Sequence, residues 1–370
     1  MGIVTHFNPL GITQKVFKTT WNISAGLTIY FPFVGTAPSN SDTVIAWGDG
    51  TTTTLSAGQV LGTTGIAHTY TLAGIYNITV YNSMGKIPKL EFITVTTSKN
   101  AIKSIDTPML TMYNGSSLAG ANLNFYSCNN LQSIHINIFK YNQQFSTFSQ
   151  LFNASGLLSL NFTLPNPSGI TSFYYCFTNC NALQTIRHQF FGGLTICNNY
   201  ERTFYSNFSL KLIADLFCEE TEANMSTRFA SLSSISFYQS FYRTSYNSSA
   251  VGGTAPQLWN YQYNEVVTLS STTGIVVGDV IKDSVTGAQF TVVTVLSSTT
   301  LKIRYLRWGN LTGTYTNFVA GHTILINDVA SVITFTSISG SPIKTGCCIG
   351  NGNNTTTLTN YADIPYEWKN

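Results

Sequence analysis

The sequence predicts a mainly β protein of several domains, and three observations support that prediction. Charged residues make up only 9% of the 370 residues, while aromatic residues make up 13%. A composition that relies on Asn, Ser, Thr, Tyr and Phe favours strands and turns and excludes a disordered chain. Alternating strand-like runs fill residues 21–97, a repeat fills 98–261, and short β runs separated by turn residues fill 262–345. Two or three domains are expected, because a chain of this length exceeds one ordinary core.

The charge and hydropathy of the chain limit its partners. The net charge is +3 and no run of basic residues occurs, so nucleic acid is not expected as a partner. No apolar run approaches the length that spans a membrane, so a membrane partner is not expected either. Residues 1–17 lack the basic start and apolar stretch of a signal peptide. Without an export signal, the seven cysteines are expected to be reduced thiols.

A pattern of glycine and aromatic residues marks the first β region, residues 21–97. Asp49 stands between two glycines, where a tight turn is expected, since glycine supplies positive φ and aspartate accepts hydrogen bonds from nearby amides. The pattern consists of Trp47, Gly48, Asp49, Gly50, His68, Thr69, Tyr70, Gly74, Tyr76 and Val80. It resembles the signature of PKD-like domains, which implies an immunoglobulin-type sandwich with Trp47 and Tyr76 in its core. Asp49 and His68 then have structural roles, and catalysis by Asp49 is the alternative.

Residues 98–261 contain a repeat of 26 or 27 residues. Its columns consist of Leu131, Leu157, Leu183 and Leu210; of Ile134, Leu160, Ile186 and Ile213; of Tyr126, Phe152, Phe177 and Phe204; and of Cys128, Ala154, Cys180 and Asn207. Four columns that stay in register over four units predict a solenoid, in which each unit forms one turn and the columns stack into one continuous core.

The repeat unit resembles the BspA-like leucine-rich repeat. The resemblance rests on the segments YSCNNLQSIHINIF, FTNCNALQTIRHQFF and IADLFC. It covers residues 98–261 and extends to 346–370, where TNYADIPYEWK resembles a closing unit. His135 and Arg187 stand where the family usually has proline, so individual turns are expected to differ from the family pattern. PKD-like modules followed by such repeats occur in surface proteins of gut bacteria and of their phages.

Residues 262–345 interrupt the repeat with a different β texture. Runs such as VVGDVIKD and AQFTVVTVL alternate with Gly, Asp and Ser. They predict a small β-barrel-like domain inserted at a loop of the solenoid, where insertions are tolerated. The order of these runs resembles small β modules of tailed-phage structural proteins. Arg304, Arg307 and Trp308 form a candidate partner-binding patch in this insert, and a solvated strand face is the alternative.

Few residue patterns in the chain suggest catalysis or metal binding. The densest acidic cluster consists of Asp215, Glu219, Glu220 and Glu222. Paired carboxylates cleave polysaccharides in some enzymes, but a solvated excursion of the repeat is the interpretation we favour. Cys176 and Cys180 have the spacing of a metal-binding pair but no second pair, so core thiols are expected. The histidines show no metal-ligand spacing either, and we predict no catalytic residue, no metal site and no cofactor.

Residues 1–20 form an N-terminal arm ahead of the first predicted strand. Its candidate partner-binding residues are Phe7, Leu10, Val16 and Phe17. Apolar side chains left in water gain nothing, so docking on another subunit or on a second copy is expected. The alternative is that the arm adds a strand to its own sandwich.

Together, these resemblances imply a non-enzymatic structural and binding protein on the surface of a tailed-phage virion. A head fibre, a capsid decoration or a tail accessory protein of a phage that infects gut Bacteroidetes fits this description. The expected partners are other virion subunits, host-surface or mucosal glycans, and further copies of the chain. A virion protein is assembled in the host cytoplasm and needs no export signal. One alternative is a secreted bacterial surface adhesin, and a second is a polysaccharide-degrading enzyme of the tailspike kind.

Overall fold

The structure, a computed structural model, describes residues 15–92, 96–112, 123–232, 235–261, 263, 265–307, 318–339, 357–364 and 366–369. Within these residues the chain is mainly β, as the sequence predicts. It divides into two compact units. The first comprises Met1–Ser146 and Leu151–Asn166, and the second comprises Thr147–Gln150 and Pro167–Asn370.

The first unit is built from short strands. In chain order they are β1 (Lys15–Ile23), β2 (Thr28–Phe31), β3 (Phe33–Thr36), β4 (Thr43–Ala46), β5 (Thr52–Leu55), β6 (Val60–Leu61), β7 (Ile66–Thr69), β8 (Gly74–Asn82), β9 (Lys86–Ile87), β10 (Lys89–Leu90), β11 (Ile102–Ile105), β12 (Thr111–Met112), β13 (Ser133–Ile134) and β14 (Ser159–Leu160). The helix α1 (Thr96–Ala101) precedes β11. One six-stranded sheet has the order β13-β11-β1-β8-β4-β5, and β10-β3-β6, β2-β7 and β12-β9 form smaller sheets.

β1 lies inside the six-stranded sheet, where it pairs with β8 on one edge and β11 on the other, and its residues alternate between core and surface. All nine residues pair with β8. Phe17, Thr19 and Trp21 are at most 2% exposed, so one face of the strand is fully buried. A strand with one buried face and two paired edges is fixed in register, since a slip of one residue would expose its apolar set.

The prediction that residues 1–20 form a docking arm is wrong for residues 15–20, which belong to β1. Phe17 is buried in the core of its own unit and is therefore unavailable to another subunit. Val16 pairs with Tyr81 of β8. Residues 15–20 instead follow the alternative expectation, in which the arm adds a strand to its own sheet. Phe7 and Leu10 lie outside the described residues.

β11 connects the antiparallel sheet to the repeat, because it pairs antiparallel with β1 and parallel with β13. A column of aromatic rings in the core beneath likewise continues from the antiparallel sheet into the repeat. The ring centroids lie 6.1 Å apart for Trp21 and Phe92, and 5.5 Å apart for Phe92 and Phe125. Phe125 and Phe152 follow at 5.4 Å with rings parallel within 5°.

The buried columns of the repeat differ by one residue from the prediction at two places. Tyr126 is 40% exposed, and Phe125 occupies the buried place predicted for it. Leu212 is 1% exposed and takes the place predicted for Ile213, which is half-buried. In both cases two adjacent apolar residues compete for one inward position, and the local turn decides between them. The fully buried leading leucines are Leu131, Leu157, Leu183 and Leu210.

The second unit consists mainly of turns outside its barrel. Its described regular elements there are β15 (Thr185–Ile186), α2 (Glu222–Thr227), α3 (Tyr366–Lys369) and short 3₁₀ helices at Pro167–Gly169, Ser248–Ala250, Leu258–Asn260 and Tyr361–Asp363. Three seven-residue segments recur, which are FYYCFTN at 173–179, YERTFYS at 200–206 and FYQSFYR at 237–243. Their first residues stack ring on ring at centroid distances of 6.2 and 5.2 Å. Their fifth residues stack at 5.6 and 5.7 Å, so each segment repeats the core of the one before.

The third and seventh residues of every segment have a left-handed backbone. They are Tyr175, Asn179, Arg202, Ser206, Gln239 and Arg243, with φ between 51° and 58°. In the first two segments, the amides at positions three, five and seven donate to carbonyls of the next segment, as Arg202 does to Tyr238 at 2.9 Å, and the amide at position one donates to the residue just before that segment. The amides at positions four and six bond within their own segment, as Cys176 does to Phe173 at 2.9 Å. The alternation satisfies these backbone groups without long strands.

A closed barrel completes the second unit. Its strands are β16 (Val266–Leu269), β17 (Val280–Asp283), β18 (Gln289–Val295), β19 (Thr300–Arg307), β20 (Thr323–Ile326) and β21 (Val329–Ser339). They close in the order β16-β19-β18-β17-β20-β21, which confirms the predicted small β-barrel. Alternate residues fill its interior, and the most buried apolar ones are Val267, Ile281, Phe290, Leu301, Ile303 and Ile324.

The segments that flank the barrel in sequence pair with each other. Gly253 and Leu358 form a parallel bridge. The side chain of Asn360 accepts a hydrogen bond from the Ala255 amide and donates one to the Ala255 carbonyl, both at 2.9 Å. The barrel therefore lies, in sequence, between two paired segments. Gly346, where the repeat is predicted to resume, lies outside the described residues.

Leu157 and Leu158 form an adjacent pair that tests the buried columns. Leu157 is fully buried and Leu158 is 42% exposed. We expect Leu157→Ala to lower the free energy of unfolding by about 2–5 kcal/mol, because it leaves a cavity. Leu158→Ala should change it by no more than about 0.5 kcal/mol. Chemical denaturation measures both, and equal small losses would contradict the proposed core.

Ala154 tests the left-handed positions, since its φ is 55° and its side chain is half-buried. A left-handed alanine costs roughly 1–2 kcal/mol, while glycine costs roughly 0.4–1 kcal/mol through the freedom of the unfolded chain. Ala154→Gly should therefore stabilise the protein by roughly 0.5–1 kcal/mol. The control Ala46→Gly in β4 should destabilise it, because glycine weakens a strand. A loss of stability in both variants, measured by denaturation, would refute this account.

Candidate functional site

Partly exposed aromatic side chains line up on the seven-residue segments. The second and third residues of every segment, and the sixth of the last two, are at least partly exposed, while the first, fourth and fifth are buried. We name the resulting surface the tyrosine–arginine face, and it consists of Tyr175, Arg202, Tyr205, Tyr238 and Tyr242. Tyr205 and Tyr242 stack on each other with centroids 5.0 Å apart and rings within 22° of parallel.

Arg202 lies at the centre of this face. Its guanidinium carbon is 5.0 Å from the ring centroid of Tyr175, and 5.7 Å from those of Tyr205 and Tyr238. Its Nε donates a 2.6 Å hydrogen bond to the side-chain oxygen of Gln239. Three cation–π contacts and one hydrogen bond therefore hold the guanidinium in place.

This face is not among the sites that the sequence predicts. Alignment of the repeat on its leucines places the aromatic residues only in a buried column. The signal that locates the face is the recurrence of aromatic residues at positions one and five, with further tyrosines at positions two, three and six. In a regular strand, side chains at neighbouring positions point to opposite faces. The left-handed third residue interrupts this alternation, so the sequence pattern alone does not assign these tyrosines to one surface.

The residues of the PKD-like signature come together in the first unit. Trp47 follows β4 and stacks on His68 of β7, with centroids 4.4 Å apart and rings within 11° of parallel. His68 meets Tyr70 edge-on at 4.6 Å, and Tyr70 contacts Tyr76 at 4.3 Å. The hydroxyl of Tyr70 donates to the Trp47 carbonyl at 2.9 Å. Trp47 and Tyr70 are fully buried, whereas Tyr76, expected in the core, is only half-buried at the start of β8.

Asp49 is held inside the turn that follows Trp47. One carboxylate oxygen accepts hydrogen bonds from the Thr51 hydroxyl at 2.6 Å and the Thr51 amide at 3.0 Å, and the other lies 2.7 Å from His68 Nε2. Burial raises the pKa of Asp49, but the bonds from Thr51 and His68 outweigh it and lower the pKa to about 2. Gly48 before it has φ of 84°, and a Cβ there would lie 2.9 Å from the Asn77 carbonyl oxygen. The carboxylate is thus engaged by its own turn.

The residues of the predicted patch on the barrel are only partly described. Arg304 lies in β19 opposite Thr291 and is half-buried. Its Nε is buried without a hydrogen-bond partner among the described residues. Arg307 ends β19 opposite Gln289, and Trp308 lies outside the described residues.

Members of the acidic cluster at residues 215–222 form hydrogen bonds and an ion pair with nearby residues. Asp215 pairs with His188 at 2.8 Å. Glu220 accepts a 2.6 Å hydrogen bond from the Gln257 amide. Burial raises the pKa of Glu220 to about 7, against the lowering effect of that hydrogen bond. Glu222 begins the exposed helix α2. Two of the four carboxylates thus have structural contacts of their own.

The described cysteines are mostly core thiols. Cys128, Cys176, Cys180 and Cys197 are fully buried. Burial raises the pKa of Cys197 to about 12, which makes its thiolate form rare. Among the described residues, no group of three or more His, Cys, Asp or Glu side chains is placed to hold a metal ion. None of the described helices has the length and apolar character needed to cross a membrane.

Comparison of the chain with protein families, with curated proteins and with solved structures finds no match. The geometry on which a function can be argued consists of two sites. One is the turn cluster of Trp47, Asp49 and His68, whose polar groups are engaged with one another or with Thr51, Thr53 and Tyr70. The other is the tyrosine–arginine face, whose groups are oriented and partly open to solvent.

Asp49→Asn tests the turn cluster through its dependence on pH. Because the folded state lowers the pKa of Asp49 from 3.8 to about 2, the folded protein binds fewer protons than the unfolded chain between these values. The stabilisation is complete above about pH 4 and is lost as the pH falls towards 2. Asp49→Asn should be less stable at neutral pH and should lack this part of the pH profile in thermal denaturation.

The control for this experiment is Asp363→Asn, at an exposed position of the second unit. It should keep the acid profile of the unsubstituted protein. An Asp49→Asn variant with the same stability and the same acid profile would show that the carboxylate does not brace the turn.

Proposed function

We propose that this chain is a non-enzymatic structural and binding protein displayed on the surface of a virion, as a head fibre, a capsid decoration or a tail accessory protein. In this proposal, the first unit carries a PKD-like sandwich of the immunoglobulin type. The repeat forms a BspA-like solenoid, and the barrel is inserted at one of its loops. Its partners are other virion subunits and glycans of the host or mucosal surface.

The contacts of the signature residues support the sandwich. The ring series from Trp47 through His68 to Tyr70 joins the end of β4 to β7, and the Trp47 indole donates to Thr53 of β5 at 2.9 Å. Trp21 of β1 also lies 5.9 Å from Phe31 of β2, between different sheets of the unit. Aromatic contacts across sheets are how a two-layer β core is held together.

Parallel bridges between consecutive turns support the solenoid. In the second unit they join Thr147 to Ser172, Ser172 to Asn199, and Asn199 to Ser236. Each bridge links equivalent positions of neighbouring segments, and the stacked rings follow the same order. A stack of turns that contact only their neighbours is the organisation that defines solenoids.

The main observation in support of a displayed binding protein is the tyrosine–arginine face. Tyr238 is 39% exposed, and the other members of the face are half-buried. Tyrosine and arginine are enriched at binding interfaces, because they supply contact area and directed hydrogen bonds at small entropic cost. The resemblance of the barrel sequence to small β modules of tailed-phage structural proteins favours a virion over other surfaces.

The location of the chain tests this proposal. Particles from lysates of cells carrying the gene are purified on a density gradient and analysed by mass spectrometry, and antibodies against residues 266–339 label them for electron microscopy. We expect the chain to copurify with particles in fixed proportion to the capsid protein and to be labelled at one site. Recovery only from cell envelopes or culture medium would favour the adhesin. Release of reducing sugar from host capsule by the pure protein would favour the enzyme.

A further inference from the structure

We infer that the tyrosine–arginine face binds an acidic oligosaccharide, with a sugar carboxylate on Arg202 and sugar rings against the tyrosines. This inference rests on the proposed display function and specifies its ligand. The ligand class is a glycan that contains uronic or sialic acids.

Arg202 is positioned as an anion receptor. Its Nε is occupied by Gln239, while no ion pair joins it to an Asp or Glu in the described part of the chain. Within the described residues, the N–H groups of its two terminal nitrogens have no hydrogen-bond partner. A guanidinium can pair with a carboxylate through two parallel hydrogen bonds. The tyrosine rings fix the guanidinium beforehand, so binding costs little side-chain entropy.

The tyrosines supply flat surfaces and polar edges together. Within the described residues, the hydroxyls of Tyr205, Tyr238 and Tyr242 make no hydrogen bond, so they are open to sugar hydroxyls. Tyr205 and Tyr242 continue the surface from one segment to the next. A ligand that repeats along a chain can therefore make the same contact on successive turns, which are spaced by about 4.8 Å as in any sheet.

The charges of the face favour a sparsely charged glycan over a nucleic acid. Arg202 supplies the positive charge of the face, while Glu201, its neighbour at the second position of the same segment, supplies a negative one. A single strand of nucleic acid carries a phosphate on every nucleotide and needs a groove with many cations. A glycan that places one carboxylate on the Arg202 guanidinium and uncharged sugar rings beside it matches the charges of the face.

Arg202→Gln is the variant that tests the inference. Glutamine occupies the same left-handed position in neighbouring turns, as Gln150 with φ of 58° and Gln239 with φ of 51°, so the backbone accepts it. Tyr238→Ala removes an exposed ring of the face. The matched control is Tyr141→Ala in the first unit. Tyr141 is 38% exposed, and its ring centroid lies 5.3 Å from Lys140 Nζ, so it also combines an exposed tyrosine with a cation.

The full chain and the three variants are titrated calorimetrically with four probes: a sialyllactose trisaccharide, a hyaluronan hexasaccharide, neutral cellotetraose and a ten-residue thymidine strand. We expect at least one acidic probe to bind, more weakly at higher salt. Arg202→Gln should weaken it by about tenfold or more, as loss of a charged hydrogen bond does. Tyr238→Ala should also weaken it, while Tyr141→Ala should not, and all variants should keep the melting temperature within about 3 °C.

Three outcomes would overturn the inference. They are failure of both acidic probes to bind at millimolar concentration, equal affinity for cellotetraose or the thymidine strand, and unchanged affinity in Arg202→Gln. If particles contain the chain but the acidic probes do not bind, the glycan inference fails and the display function stands. If the probes bind but particles lack the chain, the glycan inference stands and its placement on a virion fails.

Discussion

Stacked aromatic rings are the interaction on which the ordered turns of both units depend. In the first unit the column runs from Trp21 through Phe92 and Phe125 to Phe152. In the second unit, two columns run through the first and fifth residues of the seven-residue segments. Turns of this length form no long strands, so hydrogen bonds alone would fix few residues. Each buried ring removes a large apolar surface from water and fixes the height of its turn against the next.

The rings also offset the cost of the backbone that presents them. Two left-handed residues in a segment cost roughly 2–4 kcal/mol together, and only glycine and sometimes asparagine adopt this conformation readily. Burial of the two rings of the same segment contributes about 3–6 kcal/mol. The left-handed positions in turn direct the odd amides towards the next segment. The ring columns and the hydrogen bonds between turns therefore depend on each other, and loss of one ring would leave strained backbone without compensation.

Apolar periodicity was enough to predict the β class, the small barrel and the burial of the leading leucines, because each of these follows from which residues leave water. Periodicity could not decide between Phe125 and Tyr126, or between Leu212 and Ile213, since both members of each pair are apolar enough to be buried. It also missed that residues 15–20 belong to β1, whose partner β8 lies more than fifty residues away in sequence. The left-handed residues gave no signal, because Tyr175 and Arg202 are not residue types that mark such positions.

The identity of those residues connects the fold to the candidate site. Glycine or asparagine would adopt the left-handed backbone at lower cost, and Asn179 shows that the repeat does use asparagine at one such position. At the third position it has Tyr175, Arg202 and Gln239 instead, and these are the side chains that meet: Arg202 lies over the ring of Tyr175 and donates to Gln239. Strained residues of this kind are retained where the strain serves a site. The backbone cost at the third position is therefore matched by contacts between side chains of successive turns, and these contacts orient the one guanidinium on which the proposed recognition depends.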